Sequence, residues 1–188
     1  MKAAIKRADA ASKSVLLRAL ITMCYAHWEG YVRVCANAYF DHLAVRKLKY
    51  SELERQIYVN SFLVRLDAMN KTRLGIEARC QLVNDILDGM GSRFGYINPD
   101  LIDTRSNLSA DVIRDVCAIC GVDGTHFEDK RPFIDVIVLK RRNAIAHGQQ
   151  EFINETDIDD LVADALALMQ HFRSLLENKV YMKAYMAA

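Results

Sequence analysis

The sequence predicts an all-α protein, an up-and-down bundle of four to five main helices with short additional helices. Three observations carry this. Only 2 of the 188 residues are Pro and 8 are Gly, too little punctuation for a fold built from many turns. Apolar residues make up 52% and charged residues 26% of the chain, the balance of an ordinary globular protein. Apolar positions also recur at helical spacing over long stretches. A chain of this length buries a sizeable core unaided and reads as one domain over residues 1–188.

The elements follow in order. Between Ser12 and Lys49, the positions Val15, Leu16, Ala19, Leu20 and Met23, then Trp28, Tyr31, Val32 and Cys35, keep helical spacing. They predict one long helix, with Gly30 the place for a bend. Ser51-Glu-Leu-Glu54 fits a capping box and predicts a helix from there to Met69. A third covers Ile76 to Leu87 and stops at Asp88-Gly89-Met90-Gly91. Residues 89–108 hold three Gly, a Pro and several Asn, Asp and Ser, and read as a loop. Ser109 caps a short helix, 110–120, ended by Gly121, and 121–130 is a second loop. Pro132 suits the first turn of a helix reaching Ala146. Its β-branched middle, Phe133 to Leu139, would suit a strand taken alone, but the pattern continues through Lys140–Ile145 in good helix formers. Thr156 is the N-cap of the last helix, with Asp157, Asp159 and Asp160 in its first turn. Ile158, Leu161, Val162, Ala165, Leu168, Met169, Phe172, Leu175 and Leu176 then form one apolar stripe.

Charge and cysteine usage narrow the function. The formal net charge is +1, so any phosphate binding must come from a local cluster rather than the whole surface. Residues 1–50 carry nine Lys/Arg against three acids, and residues 151–188 carry seven acids against three Lys/Arg. The five cysteines, with no secretory-type start before them, suggest free thiols and a cytoplasmic protein. No apolar run approaches a membrane span, so no membrane association is expected.

The candidate site is Lys140-Arg-Arg-Asn-Ala-Ile-Ala-His147-Gly148, where a mostly apolar helix ends in three consecutive cations, an amide and a His. Gly148 is the expected residue past the helix end, so His147 stands at the helix's negative pole. Arg142 and His147 are five residues apart, about 140° around an ideal helix. They do not share a face unless the helix ends at His147, whereas Asn143 and His147 do share one. Ala144 and Ala146 are small enough for another helix to approach closely, so a second helix, or a second subunit, is expected to complete the site. A His can take the proton from a ribose 2′-OH or give one to the leaving oxygen. An Arg can neutralise charge growing on the phosphorane oxygens. Together they suit RNA cleavage to a 2′,3′-cyclic phosphate, and no metal or other cofactor is called for.

Arg142-Asn143-x-x-x-His147 resembles the Arg-x4–6-His motif of the HEPN superfamily, in which a polar residue follows the Arg. Tyr25-Ala-His27-Trp28-Glu29-Gly30-Tyr31 resembles the His-Trp-Glu-Gly signature of one prokaryotic branch. Ile102-Asp-Thr-Arg-Ser-Asn107-Leu108 is similar to that branch's Ser-Asn-Leu stretch, and Arg142 to Gly148 to its closing motif. The resemblance implies a helical bundle, a homodimer whose two Arg–His motifs form one composite active site, and metal-independent endoribonuclease activity in toxin–antitoxin or phage-defence systems. It implies catalytic roles for Arg142 and His147, with Asn143 as polar companion, and RNA as the partner along with a cognate antitoxin or defence protein. A related branch carries a modifiable Tyr two residues after the His. Position 149 here is Gln, so that mode of control is not expected.

Plainer readings stand beside these. The Arg–His pair could be a solvated helix end, and some HEPN-like domains only bind nucleotides or partner proteins. Arg141 and Lys140 are expected to position phosphate or to be solvated. Glu29 could orient His147, pair with Arg142, or form a purely structural salt bridge. Trp28 is expected in the core and His27 as a packed, satisfied His. Cys117 and Cys120 are three apart on a short helix, which reads as core packing, with His126 the nearest extra ligand were they a metal site. Asn107 is expected to cap the helix at 110–120.

Overall fold

A computed structural model describes residues 2–71, 75–104 and 107–187. Its described residues are all-α, with no strand beyond two isolated bridges. In chain order the helices are α1 Lys2–Arg7, α2 Ala10–Arg46, α3 Arg55–Lys71, α4 Ile76–Asp88, α5 Ala110–Cys120, α6 Thr125–Asp129, α7 Arg141–Ala146 and α8 Ile158–Tyr181. A nine-residue π-helical stretch, Pro132–Lys140, runs directly into α7.

The long first helix is unbroken through Gly30, from Ala10 to Arg46. Asp9 starts it, its side chain accepting from the Ser12 N–H at 2.8 Å. The short α1 before it, which periodicity did not single out, is anchored by the fully buried Ile5.

Three expected boundaries move. The helix placed at Ser51 begins at Arg55, because Glu52 closes a tighter turn back onto the Lys49 N–H at 2.7 Å. Glu54, which the capping box required, is instead held by Lys179 at 2.6 Å. The loop expected at 121–130 contains α6, tied down by Phe127, which is fully buried against Trp28 and Phe172. Thr156 lies in a 3₁₀ turn, Glu155–Asp157, and α8 starts at Ile158.

Other expectations hold. Ser109 caps α5, accepting from the Val112 N–H, and Gly121 ends it at φ +66°. Asp135 adds a second cap by accepting from the Ala110 N–H at 2.8 Å. Capping thus comes from Ser109 and Asp135 rather than Asn107, while Arg105 and Ser106 of the same stretch lie outside the described residues. Trp28, Cys117 and Cys120 are core residues, whereas His27 is exposed, not packed.

The chain divides into two compact units. The first comprises Met1–Val32, Thr104–Arg114 and Gly124–Arg173. Its core holds Ile21, Tyr25, Trp28, Leu108, Ile113, Phe127, Ile134, Val138 and Phe172. The second comprises Arg33–Asp103, Asp115–Asp123 and Ser174–Ala188. Rings pack in series there, Tyr39 on Phe40, Phe40 on Phe94, and Tyr50 and Phe62 on Tyr58. No described helix is long and apolar enough to cross a membrane.

Candidate active site

The candidate motif lies wholly in the first unit. The π-helical stretch buries Ile134, Val138 and Leu139, and so fixes the helix that presents Lys140 and Arg141 at its surface end. Wide i→i+5 turns of this kind are uncommon and recur at functional sites. After Ala146 the chain stops in a Schellman turn. The Gly148 N–H bonds the Ile145 carbonyl at 3.1 Å, and the Gln149 N–H bonds the Ala144 carbonyl at 2.9 Å. Gly148 sits at φ +75°, a left-handed conformation that glycine adopts without strain. His147 is the residue at the cap itself, exposed, its own N–H on the Asn143 carbonyl at 3.0 Å. The helix therefore ends at His147.

Arg142 is partly buried and held on two sides. Its Nη1 donates to the Asn143 side-chain oxygen at 2.7 Å. Its guanidinium carbon lies 4.3 Å from the centroid of the Tyr25 ring on α2, within cation–π range. Tyr25 is itself buried, with its hydroxyl accepting from the Leu108 N–H at 2.7 Å. Burial pushes its phenol up from the usual value. The Glu29 carboxylate adds to this, while the Leu108 N–H and the Arg142 charge oppose it. The phenol thus stays protonated at neutral pH. Glu29, also buried, accepts from the buried Thr104 hydroxyl.

Among the sequence candidates, the structure therefore joins Arg142 to Asn143, and Asn143 through its carbonyl to His147. No hydrogen bond or ring contact among the described residues joins the Arg142 and His147 side chains. Lys140 is exposed and Arg141 half-buried. Two neighbours carry no role in the sequence reading. Tyr25 lies inside the quoted signature, but nothing in its spacing marks it as the seat of Arg142. Arg18 reaches from α2 to the Gln149 carbonyl at 3.3 Å, two residues beyond His147, a contact only the tertiary structure reveals. An open groove of about 450 Å³, lined by Val15, Ala19, Met23, Ala26 and Ile145, runs beside it. Among the described residues, no group of three or more His, Cys, Asp or Glu is placed to hold a metal ion. His126 stacks on His171, ring centroids 4.0 Å apart.

An all-helical domain in which a mostly apolar helix ends in Arg-Asn-x-x-x-His-Gly has the make-up of a HEPN module. The sequence model of the RiboL-PSP-HEPN family matches residues 2–178, and the chain belongs to that family, within the HEPN superfamily. HEPN domains are commonly ribonucleases. Comparison with curated proteins and with solved structures finds no match.

Proposed function

We propose that this protein is a metal-independent endoribonuclease that acts as the toxin of a toxin–antitoxin pair or as a phage-defence effector. The observation that carries the reading is the helix end itself: an Arg142 seated on Asn143 and Tyr25, and an exposed His147 delivered by the Gly148 turn, in a HEPN chain.

The reaction is redox-neutral. The ribose 2′-oxygen loses its proton to His147, forms a bond to phosphorus, and the bond from phosphorus to the 5′-oxygen breaks. That oxygen leaves with a proton from an acid, and the product keeps a 2′,3′-cyclic phosphate. Arg142 stabilises the charge on the non-bridging oxygens, and Asn143 orients Arg142. Lys140 and Arg141 hold flanking phosphates. The single His of each motif cannot serve as both base and acid in one step, so a homodimer with two facing His147 residues is the working form. The apolar groove beside Ile145 supports close approach of a second copy.

RNA incubated with the protein and EDTA is expected to be cut, with cyclic phosphate ends. DNA, or RNA methylated at the 2′-oxygen, is expected to stay intact. His147→Ala is expected to reduce cutting by on the order of 10²–10⁴-fold with its helical content unchanged, and to relieve any growth arrest on expression. Cutting that persists unchanged in His147→Ala sinks the mechanism.

A further inference from the structure

We infer that Tyr25 is the positioning residue for Arg142, its ring face fixing the guanidinium in the one orientation that presents its N–H fork to a scissile phosphate. This rests on the ribonuclease reading above.

An arginine at a helix end ordinarily samples many rotamers. Here the guanidinium carbon lies over the Tyr25 ring, 4.3 Å from its centroid, within cation–π range. Asn143 takes a hydrogen from Nη1. The remaining donors suit bidentate phosphate recognition. The seat is rigid, because Tyr25 is 1% exposed and its hydroxyl is pinned by the Leu108 N–H at 2.7 Å. Glu29 and Thr104, bonded to each other, are buried one turn further along the same face of α2 or against it.

The register of α2 gives the seat a second use. Arg18 and Tyr25 are seven residues apart, about 20° short of two full turns, and so share a face. That face meets Arg142 through Tyr25 and the turn after His147 through Arg18. Arg142 and the turn that follows His147 are thereby both referred to α2. A polar, titrating group is not needed at position 25 for this. The ring is what acts, which separates it from a catalytic acid or base.

The test uses the full chain with Tyr25→Leu and Tyr25→Phe. Tyr25→Leu is expected to lower kcat on the order of tenfold, with KM within about threefold. Tyr25→Phe keeps the ring and is expected to restore kcat to within about threefold of the original. In an Arg142→Ala background, Tyr25→Leu should cost nothing more, since the group it positions is gone. Should Tyr25→Leu not fold, pentafluorophenylalanine at position 25 keeps the ring's shape while reversing its quadrupole, and is expected to slow cleavage as Leu would. An independent arm reads proton NMR of the Arg142 side chain, assigned by its loss in Arg142→Lys. Its signals should lie upfield from the Tyr25 ring current and lose that shift in Tyr25→Leu. Unshifted Arg142 signals, a Tyr25→Leu with unchanged kcat, or a Tyr25→Phe as slow as Tyr25→Leu would each overturn the inference. If the original protein cuts no RNA, the ribonuclease reading falls, and the ring-current arm alone decides whether Tyr25 seats Arg142.

Discussion

Each unit holds one cation with several partners, and the two are held differently. In the first unit that cation lies near solvent. Arg131 bonds Glu128, Asp111 and Asp135 at the surface, its side chain 34% exposed, and the motif occupies an exposed helix end. The Arg131 guanidinium holds the Glu128 and Asp111 carboxyls below their ordinary values. In the second unit, the Lys179 side chain is 6% exposed and lies 2.6 Å from both Glu54 and the Gly121 carbonyl. A buried ammonium with fixed partners is committed to the fold, because removing any partner strands a charge. A surface cation keeps solvent as an alternative partner, which leaves it available to a ligand. Substitutions in the two units should therefore separate into losses of activity and losses of stability.

The sharpest way to break that comparison is to cross the two. His147→Ala is expected to reduce cleavage by on the order of 10²–10⁴-fold, while its unfolding midpoint in urea stays within about 0.5 kcal/mol of the original. Lys179→Ala is expected to lose about 3 kcal/mol of stability in the same urea titration and to cleave normally below its transition. A Lys179→Ala that is as stable as the original would show that the second unit's buried ion pair is not a fold commitment.

Two glycines sharpen it further. Gly121 and Gly148 both follow a helix at positive φ, +66° and +75°. A Cβ at Gly121 would sit 2.5 Å from the Lys179 Nζ and 2.6 Å from a Glu54 oxygen, whereas at Gly148 it meets nothing within 4 Å. Gly148→Ala should then cost only the left-handed strain, about 1–2 kcal/mol. Gly121→Ala should cost roughly 1 kcal/mol more, because the ion pair must also shift. Gly148→Asn should recover part of the loss, since Asn tolerates that conformation. Thermal or urea unfolding of the three variants checks the order.

How much of this could be read beforehand follows the range of the interactions. The long helices were legible because helical periodicity is local: α2, α4, α5 and the 132–146 segment all lie close to where their apolar spacing and end residues put them. The Gly148 turn was legible for the same reason, being set by a handful of consecutive residues. The start of α3 was not, since the competitor for Glu54 is Lys179, 125 residues away. Nor was α6, whose anchor Phe127 gains its meaning only against Trp28 and Phe172. The candidate site divides likewise. Arg142, Asn143 and His147 stand out in a short motif, but the ring beneath Arg142 comes from another helix, 117 positions earlier in numbering, and no local pattern announces it.

The smallest expected effect concerns Cys117, in the second unit. Burial pushes its thiol up to about 12, with Asp123 adding to the rise, and Cys120 is pushed up as well, first by burial. A raised thiol value means that the fold favours the protonated form. That contribution is complete below the ordinary value of 9.0 and is lost as pH rises past it towards 12. The stability gap between the original and Cys117→Ala should therefore be constant from pH 6 to 8 and narrow by about 1 kcal/mol at pH 10. At pH 8 a thiol reagent should modify exposed Cys80 readily and reach Cys117 and Cys120 only on unfolding. Fast labelling of Cys117 in the folded protein would show that the second unit opens in its native state. Its buried Lys179 would then be reached by solvent too, and the contrast with the first unit would shrink to one of degree.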